Sequence, residues 1–249
     1  MTPLAFKRDW RTAFQALRKL LANGDDTVQV FRIMRALNAG ASRENYRRLT
    51  DTVEGGRLAA AQVELSKRFS DRTFVESFAP GTVGAAYRAF LDETGYSAQG
   101  LAEISYADDV GRDVEHPYAW FGRRERDVHD IWHILTGYRA DEPLGEASLV
   151  AFSYAQTGGL GWAFIALGAA VKSIKEARSL AVVRSIVEGW RHGKAAAWLA
   201  GEDYEALFAE PLESARRRLN IAPPVRYREA QAVLERVGSK NFLSNTQAA

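Results

Sequence analysis

The chain has 249 residues, 47% of them hydrophobic and 26% charged, which suits a globular protein long enough to bury a large core without cross-links. Its net charge of +2 is too small to point to nucleic acid as a partner. Cysteine is absent, which excludes disulfides, thiolate metal sites and a cysteine nucleophile.

The N-terminal stretch is basic and amphipathic, but it lacks the uninterrupted apolar core and small-residue cleavage site of a secretory signal. Asp9 and the pair Asp25–Asp26 count against a transit peptide, so the stretch reads as the first helix of the folded domain. Trp10, Phe14, Leu17, Leu20 and Leu21 recur at three- and four-residue steps, and Gly24 follows where a helix would end. A second helix is predicted from near Asp26, through Phe31, Ile33 and Leu37, to Asn38 and Gly40. Further helices are predicted over about 42–50, 55–69 and 81–93, the last ending near Gly95. A long one follows from Pro117 to Thr136, with proline in its first turn and Gly137 as its cap.

From Ala147 to Val171 there is no charged residue, a length that could span a bilayer. Ser153, Gln156, Thr157, Gly158, Gly159 and Gly161 interrupt it, so two shorter buried helices meeting at a bend are predicted. The remaining helices are placed at about 176–191, 194–200, 203–219 and 225–237, with a break from Asn220 to Pro224. Residues 238–249 read as a flexible tail. Strand-like alternation is scarce and no repeat is visible. The expectation is a single compact all-α domain over 1–249.

One segment carries chemistry. In "RDVHDIWHILTGY", His129 and His133 stand at i and i+4, which puts both imidazoles on one helical face within reach of a single ion. Arg126 and Asp130 fall on the same strip, and Ile131, Trp132 and Leu135 lie to one side as an apolar flank. Asp130 can ligate directly or orient a ligand. The pattern resembles the HExxH of zinc hydrolases with a shorter carboxylate in place of the general base, which weakens that reading. Two imidazoles with one or two carboxylates suit zinc, iron(II) or manganese(II), and no organic cofactor is evident.

"HDIWH" followed by "LTG" and then "PLGE" resembles the metal-binding signature of the coenzyme Q protein 4 family of ubiquinone biosynthesis. "GKAAAWL", "PLESARRRLNI" and "APP" resemble its C-terminal third, and the likeness is strongest over 110–224. The family spacing puts eleven residues between the second histidine and a glutamate. Here twelve, Ile134 to Gly145, precede Glu146, the extra one falling in the loop-like "YRADEP". The resemblance implies the metal ligands His129, Asp130, His133 and Glu146, with Glu142 or Asp141 as substitutes for the last. The catalytic set would be His129, Asp130, His133 and Arg126, the arginine anchoring an anionic substrate group.

What the resemblance further implies is oxidative decarboxylation of a polyprenylated hydroxybenzoate, the ring carboxyl being replaced by hydroxyl. The competing reading is a non-catalytic lipid-binding scaffold for the other ubiquinone biosynthesis enzymes, with a structural metal. Either way a polyprenylated aromatic lipid would need a greasy pocket, which the stretch Ala147–Val171 could line, with Tyr154 and Gln156 as weaker candidates for ring contacts. Peripheral contact with a membrane is implied, and Lys7, Arg8, Arg11 and Lys19 beside Trp10 and Phe14 suit it. So does the basic run Arg216–Arg217–Arg218. The expected location is cytoplasmic, at the inner membrane of a bacterial-type cell, and a homo-oligomer is compatible with the sequence. His116 and His192 are assigned local roles.

Overall fold

The computed structural model describes residues 7–24, 26–108, 116–177, 179–238 and 242–243. Among them regular structure is helical, apart from one antiparallel bridge between Thr82 and Pro211. The N-terminal half consists of α1 (Trp10–Ala22), α2 (Thr27–Leu37), α3 (Ala39–Thr50), α4 (Val53–Ala61), α5 (Leu65–Ser70), α6 (Arg72–Glu76), α7 (Val83–Thr94) and α8 (Ala98–Ser105). The predicted 55–69 helix is two helices because Gln62, at φ 45°, ends α4 in the left-handed region. The short α6 and α8 were not anticipated. They begin at Asp71 and Ser97, whose side chains accept from the backbone of their first turns.

The expected long helix from Pro117 is also two: α9 (Pro117–Asp127) and α10 (His129–Thr136), separated at Val128. Side chains of the last turn before that break are held from outside the helix. Arg124 donates to the carbonyls of Ala200 and Glu202, and the buried Asp127 accepts the Ser66 amide at 2.9 Å. Pro143 and Gly158 then bound α11 (Pro143–Thr157), and α12 runs from Leu160 to Ala177, so the charge-free stretch does form two helices meeting at a bend. The chain continues as α13 (Ala181–Ala195), a 3₁₀ turn at Leu199–Gly201, α14 (Tyr204–Phe208), α15 (Leu212–Arg218) and α16 (Val225–Arg236). The predicted 176 boundary thus falls on the last turn of α12, and Pro211 divides the expected 203–219 helix.

α11 is the central element, buried on nearly every side and packed on α13. The seam between them is made of small residues. A Cβ at Gly189 or Gly193 would collide with the backbone of Ser148 or Phe152, and Ser148 Oγ meets Ser185 Oγ at 2.7 Å. The rest of the core is aromatic: Phe69 stacks on Phe208 at 4.9 Å, and the Trp132 indole donates to Tyr204 Oη at 2.6 Å. Most of the expected tail lies outside the described residues, but Phe242 is buried in the core.

Candidate metal centre

α10 supplies both histidines, His129 at its first position and His133 in its last turn, and closes at Gly137, whose φ of 76° makes the cap that a left-handed residue provides. Beyond the cap the chain turns so that the Tyr138 carbonyl lies 2.7 Å from His133 Nδ1. A carbonyl can only accept, so Nδ1 carries the proton and Nε2 is the nitrogen left to face the site. There Glu146 meets it, with Oε1 at 3.1 Å, and the other carboxylate oxygen lies 3.5 Å from His129 Nε2. His129 is fixed differently: its ring lies flat against Trp162 of α12, centroids 5.5 Å apart and planes within 4°.

Glu146 reaches this position because it sits in the first turn of α11, where the helix dipole favours a carboxylate. That turn packs so closely on the preceding loop that a Cβ at Gly145 would land on the Arg139 carbonyl. One ligand atom each from His129, His133 and Glu146 lies within 4.8 Å of the others. Burial opposes the charge on Glu146, but the two imidazoles outweigh it and hold the carboxyl well below the usual range. Burial likewise opposes the charge on His133, and the Glu146 carboxylate reverses the balance and raises it above an ordinary histidine.

The other predicted site residues separate from this cluster. Asp130 stands outside the set of converging atoms. It is 8% exposed, burial pushes its carboxyl up, and its field is felt by Tyr87 of α7. Arg126 is turned away to Asp127 and to Ser105 Oγ at 2.8 Å, so its charge is already paired. The straight-helix strip that joined it to the histidines is interrupted by the break at Val128. Glu142 and Asp141 do not stand in for Glu146. Glu142 accepts from Tyr227 Oη and Gln231, and Asp141 pairs with Arg139.

Gln156 is a brace rather than a substrate contact, bonded to Gly193, Ala197 and Leu199 backbone. Gly159 and Gly161 make room for the Asn38 side chain, which accepts the Gly161 amide at 2.7 Å. His116 caps α9, and His192 approaches Tyr138 Oη at 3.3 Å. Of the C-terminal arginine run, Arg216 donates to the Ile134 and Leu135 carbonyls at the end of α10, and Arg218 pairs with Glu202 and Glu210. Sequence reasoning missed Trp162 and the Tyr138 carbonyl, neither of which has a local signal.

The family model described as "Coenzyme Q (ubiquinone) biosynthesis protein Coq4" matches residues 12–225, most of the chain. The chain belongs to the Coq4 family. Its place in ubiquinone biosynthesis follows from that membership. Among similar Coq4 proteins, the mitochondrial homologue of Nematostella vectensis is 28% identical over 184 residues, covering 72% of this chain and 83% of that protein. The mitochondrial homologue of Mus musculus is 29% identical over 70% of this chain, and the match spans 63% of the mouse protein. A crystal structure from Nostoc punctiforme, whose description names ubiquinone biosynthesis, shares the fold with a TM-score of 0.60 at 19% identity, covering 86% of this chain and 98% of that one. No helix among the described residues is long and apolar enough to cross a membrane.

Proposed function

We propose that this Coq4 protein is a metal-dependent enzyme that replaces the ring carboxyl of a polyprenylated hydroxybenzoate by hydroxyl. The observation that carries the reading is the convergence of His129, His133 and Glu146 in a member of a ubiquinone biosynthesis family. The donor set fits a divalent cation. Two imidazole nitrogens and a carboxylate meet, and the second nitrogen of His133 is already committed to a carbonyl. Zinc, iron(II) and manganese(II) are the ions such ligands hold. When bound, such an ion supplies Lewis acidity toward a carboxylate and, for iron or manganese, a redox couple.

The chain's own residues do the positioning. Tyr138 and Trp162 fix the two imidazole planes. With Arg126 paired to Asp127, its contribution is to hold the α9–α10 junction. In the reaction the bond from ring to carboxyl carbon breaks, carbon dioxide leaves and a hydroxyl takes its place, a two-electron oxidation that balances with one dioxygen and one water consumed and one hydrogen peroxide released.

Metal content of protein purified without chelators, and turnover of a prenylated hydroxybenzoate with and without air, test this together. About one divalent ion per chain and hydroxylated product only in air are expected. His133→Ala is expected to remove both while the thermal melt stays cooperative. Product formed without any oxidant would refute the oxygen requirement. Loss of the fold, or of assembly with other biosynthetic enzymes alone, would favour a scaffold with a structural metal.

A further inference from the structure

Between the cap of α10 and the start of α11 runs the segment 138–142, and two members of the candidate centre depend on its course. His133 Nδ1 donates to the Tyr138 carbonyl at 2.7 Å, and the Glu142 carbonyl accepts the Glu146 amide at 3.0 Å. A shift of this segment therefore moves an imidazole and the carboxylate it faces. What holds the segment comes from the far end of the chain.

Tyr227 of α16 is buried, and its ring meets that of Tyr138 edge-on with centroids 5.3 Å apart. Its hydroxyl accepts the Arg139 amide at 3.2 Å and the Gln231 side-chain amide at 3.1 Å, and it donates to Glu142 Oε2 at 2.7 Å. A hydroxyl has one proton to give and two lone pairs, so this is its full complement. Gln231 stands one turn on, with Nε2 at 3.1 and 2.8 Å from the two oxygens of the buried Glu142. Pro224, at the head of α16, lies where a Cβ on Gly137 would touch it at 3.5 Å. The helix is itself pinned. Glu188 of α13 accepts the amides of Arg226 and Tyr227 at 2.8 and 3.1 Å, at the helix end where a carboxylate is favoured.

We propose that Tyr227 and Gln231 are positioning residues of the candidate metal centre, fixing, through Glu142 and the 138–142 segment, where His133 Nε2 and Glu146 stand. Among the described residues, every side-chain hydrogen bond of the pair falls on that segment or on each other. A brace serving only to dock α16 would tie it to the helices it packs on, whereas these bonds converge on the chain between two ligands. Both residues lie beyond residues 12–225, so the region that marks the family does not contain them. Partners that hold a metal ligand from outside typically change affinity by about 10–100-fold when removed. The purpose of the clamp rests on the metal reading above, but the placement of His133 and Glu146 exists without an ion.

Titration of the full chain with cobalt(II), whose visible bands report its coordination, tests this in three variants. Tyr227→Phe keeps the ring on Tyr138 and removes the hydroxyl, and Gln231→Leu removes the amide. Leu234→Ala, buried on the same helix but making none of these bonds, controls for lost stability alone. Tyr227→Phe is expected to bind cobalt at least about tenfold more weakly and with an altered band, and Gln231→Leu to move in the same direction. Leu234→Ala should lower the melt yet keep the parent's affinity and band. In metal-free protein with nitrogen-15 histidine, the ring signal missing from His133→Ala should report a proton on Nδ1 in the parent's neutral imidazole. In Tyr227→Phe it should report a mixture of the two tautomers. Two results would overturn the proposal: Tyr227→Phe and Gln231→Leu matching the parent in affinity, band and imidazole signals, or cobalt affinity falling with melting temperature alike in all three variants. A parent that binds no cobalt would overturn the metal reading instead, and the imidazole signals would then decide for or against the clamp.

Discussion

Replacing Glu125 by glutamine is expected to stabilise the protein at about pH 8 and to change little near pH 4.5. Glu125 lies on α9, one turn before His129, and its two hydrogen-bond partners are neutral: Asn45 Nδ2 at 2.9 Å and Ser42 Oγ at 3.4 Å. Burial pushes its carboxyl up to about 7, and those two bonds recover only part of the cost. In the unfolded chain the same group titrates near the ordinary 4.5. Between the two values the folded protein holds a proton that the unfolded chain has released, so wild-type stability falls as the pH rises through that window and levels off above it. The gap is worth up to about 3 kcal/mol, or about 5–10 °C in melting temperature for a chain of this length. Glutamine keeps the shape: its carbonyl accepts from Asn45, its amide donates to Ser42, and nothing is left to ionise. Thermal melts of both proteins followed by circular dichroism from pH 4.5 to 8.5 measure the effect. A difference that stayed constant across that range, or shrank as the pH rose, would refute the assignment of an uncompensated carboxylate to this position.

Further outcomes follow from the candidate centre. Gly145→Ala should lower stability by about 2–4 kcal/mol and abolish metal retention, because the added methyl meets the Arg139 carbonyl and displaces the turn that carries Glu146; calorimetry and metal analysis read the two effects. Arg216→Met should cost about 1–3 kcal/mol by leaving the Ile134 and Leu135 carbonyls without their donor at the end of α10. In chelator-treated protein the His133–Glu146 ion pair contributes fully between about pH 4.5 and 6.5. It fades as the pH rises through the raised His133 or falls through the depressed Glu146. Glu146→Gln should therefore cost most in that window, as melts of the two proteins across pH would show. Stabilisation by added zinc should instead grow with pH, since the metal needs unprotonated imidazole.

The helical class and the i, i+4 histidine pair were legible in the sequence because both are local: the period of apolar residues and the pitch of a helix need no distant partner. The division of the charge-free stretch into two helices was also legible, since Gly158 and its neighbours announce the turn. Spacing alone left Glu146, Glu142 and Asp141 open as the fourth ligand, because a loop of unknown course lay between. Tertiary packing decided it. The small-residue seam between α11 and α13 seats α11, Tyr227 and Gln231 claim Glu142, Arg139 claims Asp141, and Glu146 is left facing both imidazoles. Packing also removed Arg126 from the site, since the break at Val128 and the partners of Asp127 lie in contacts that a helical wheel does not contain. Trp162 is the clearest case. It stands 29 positions beyond His133, and only the docking of α12 against α10 and α11 makes it the wall on which His129 rests.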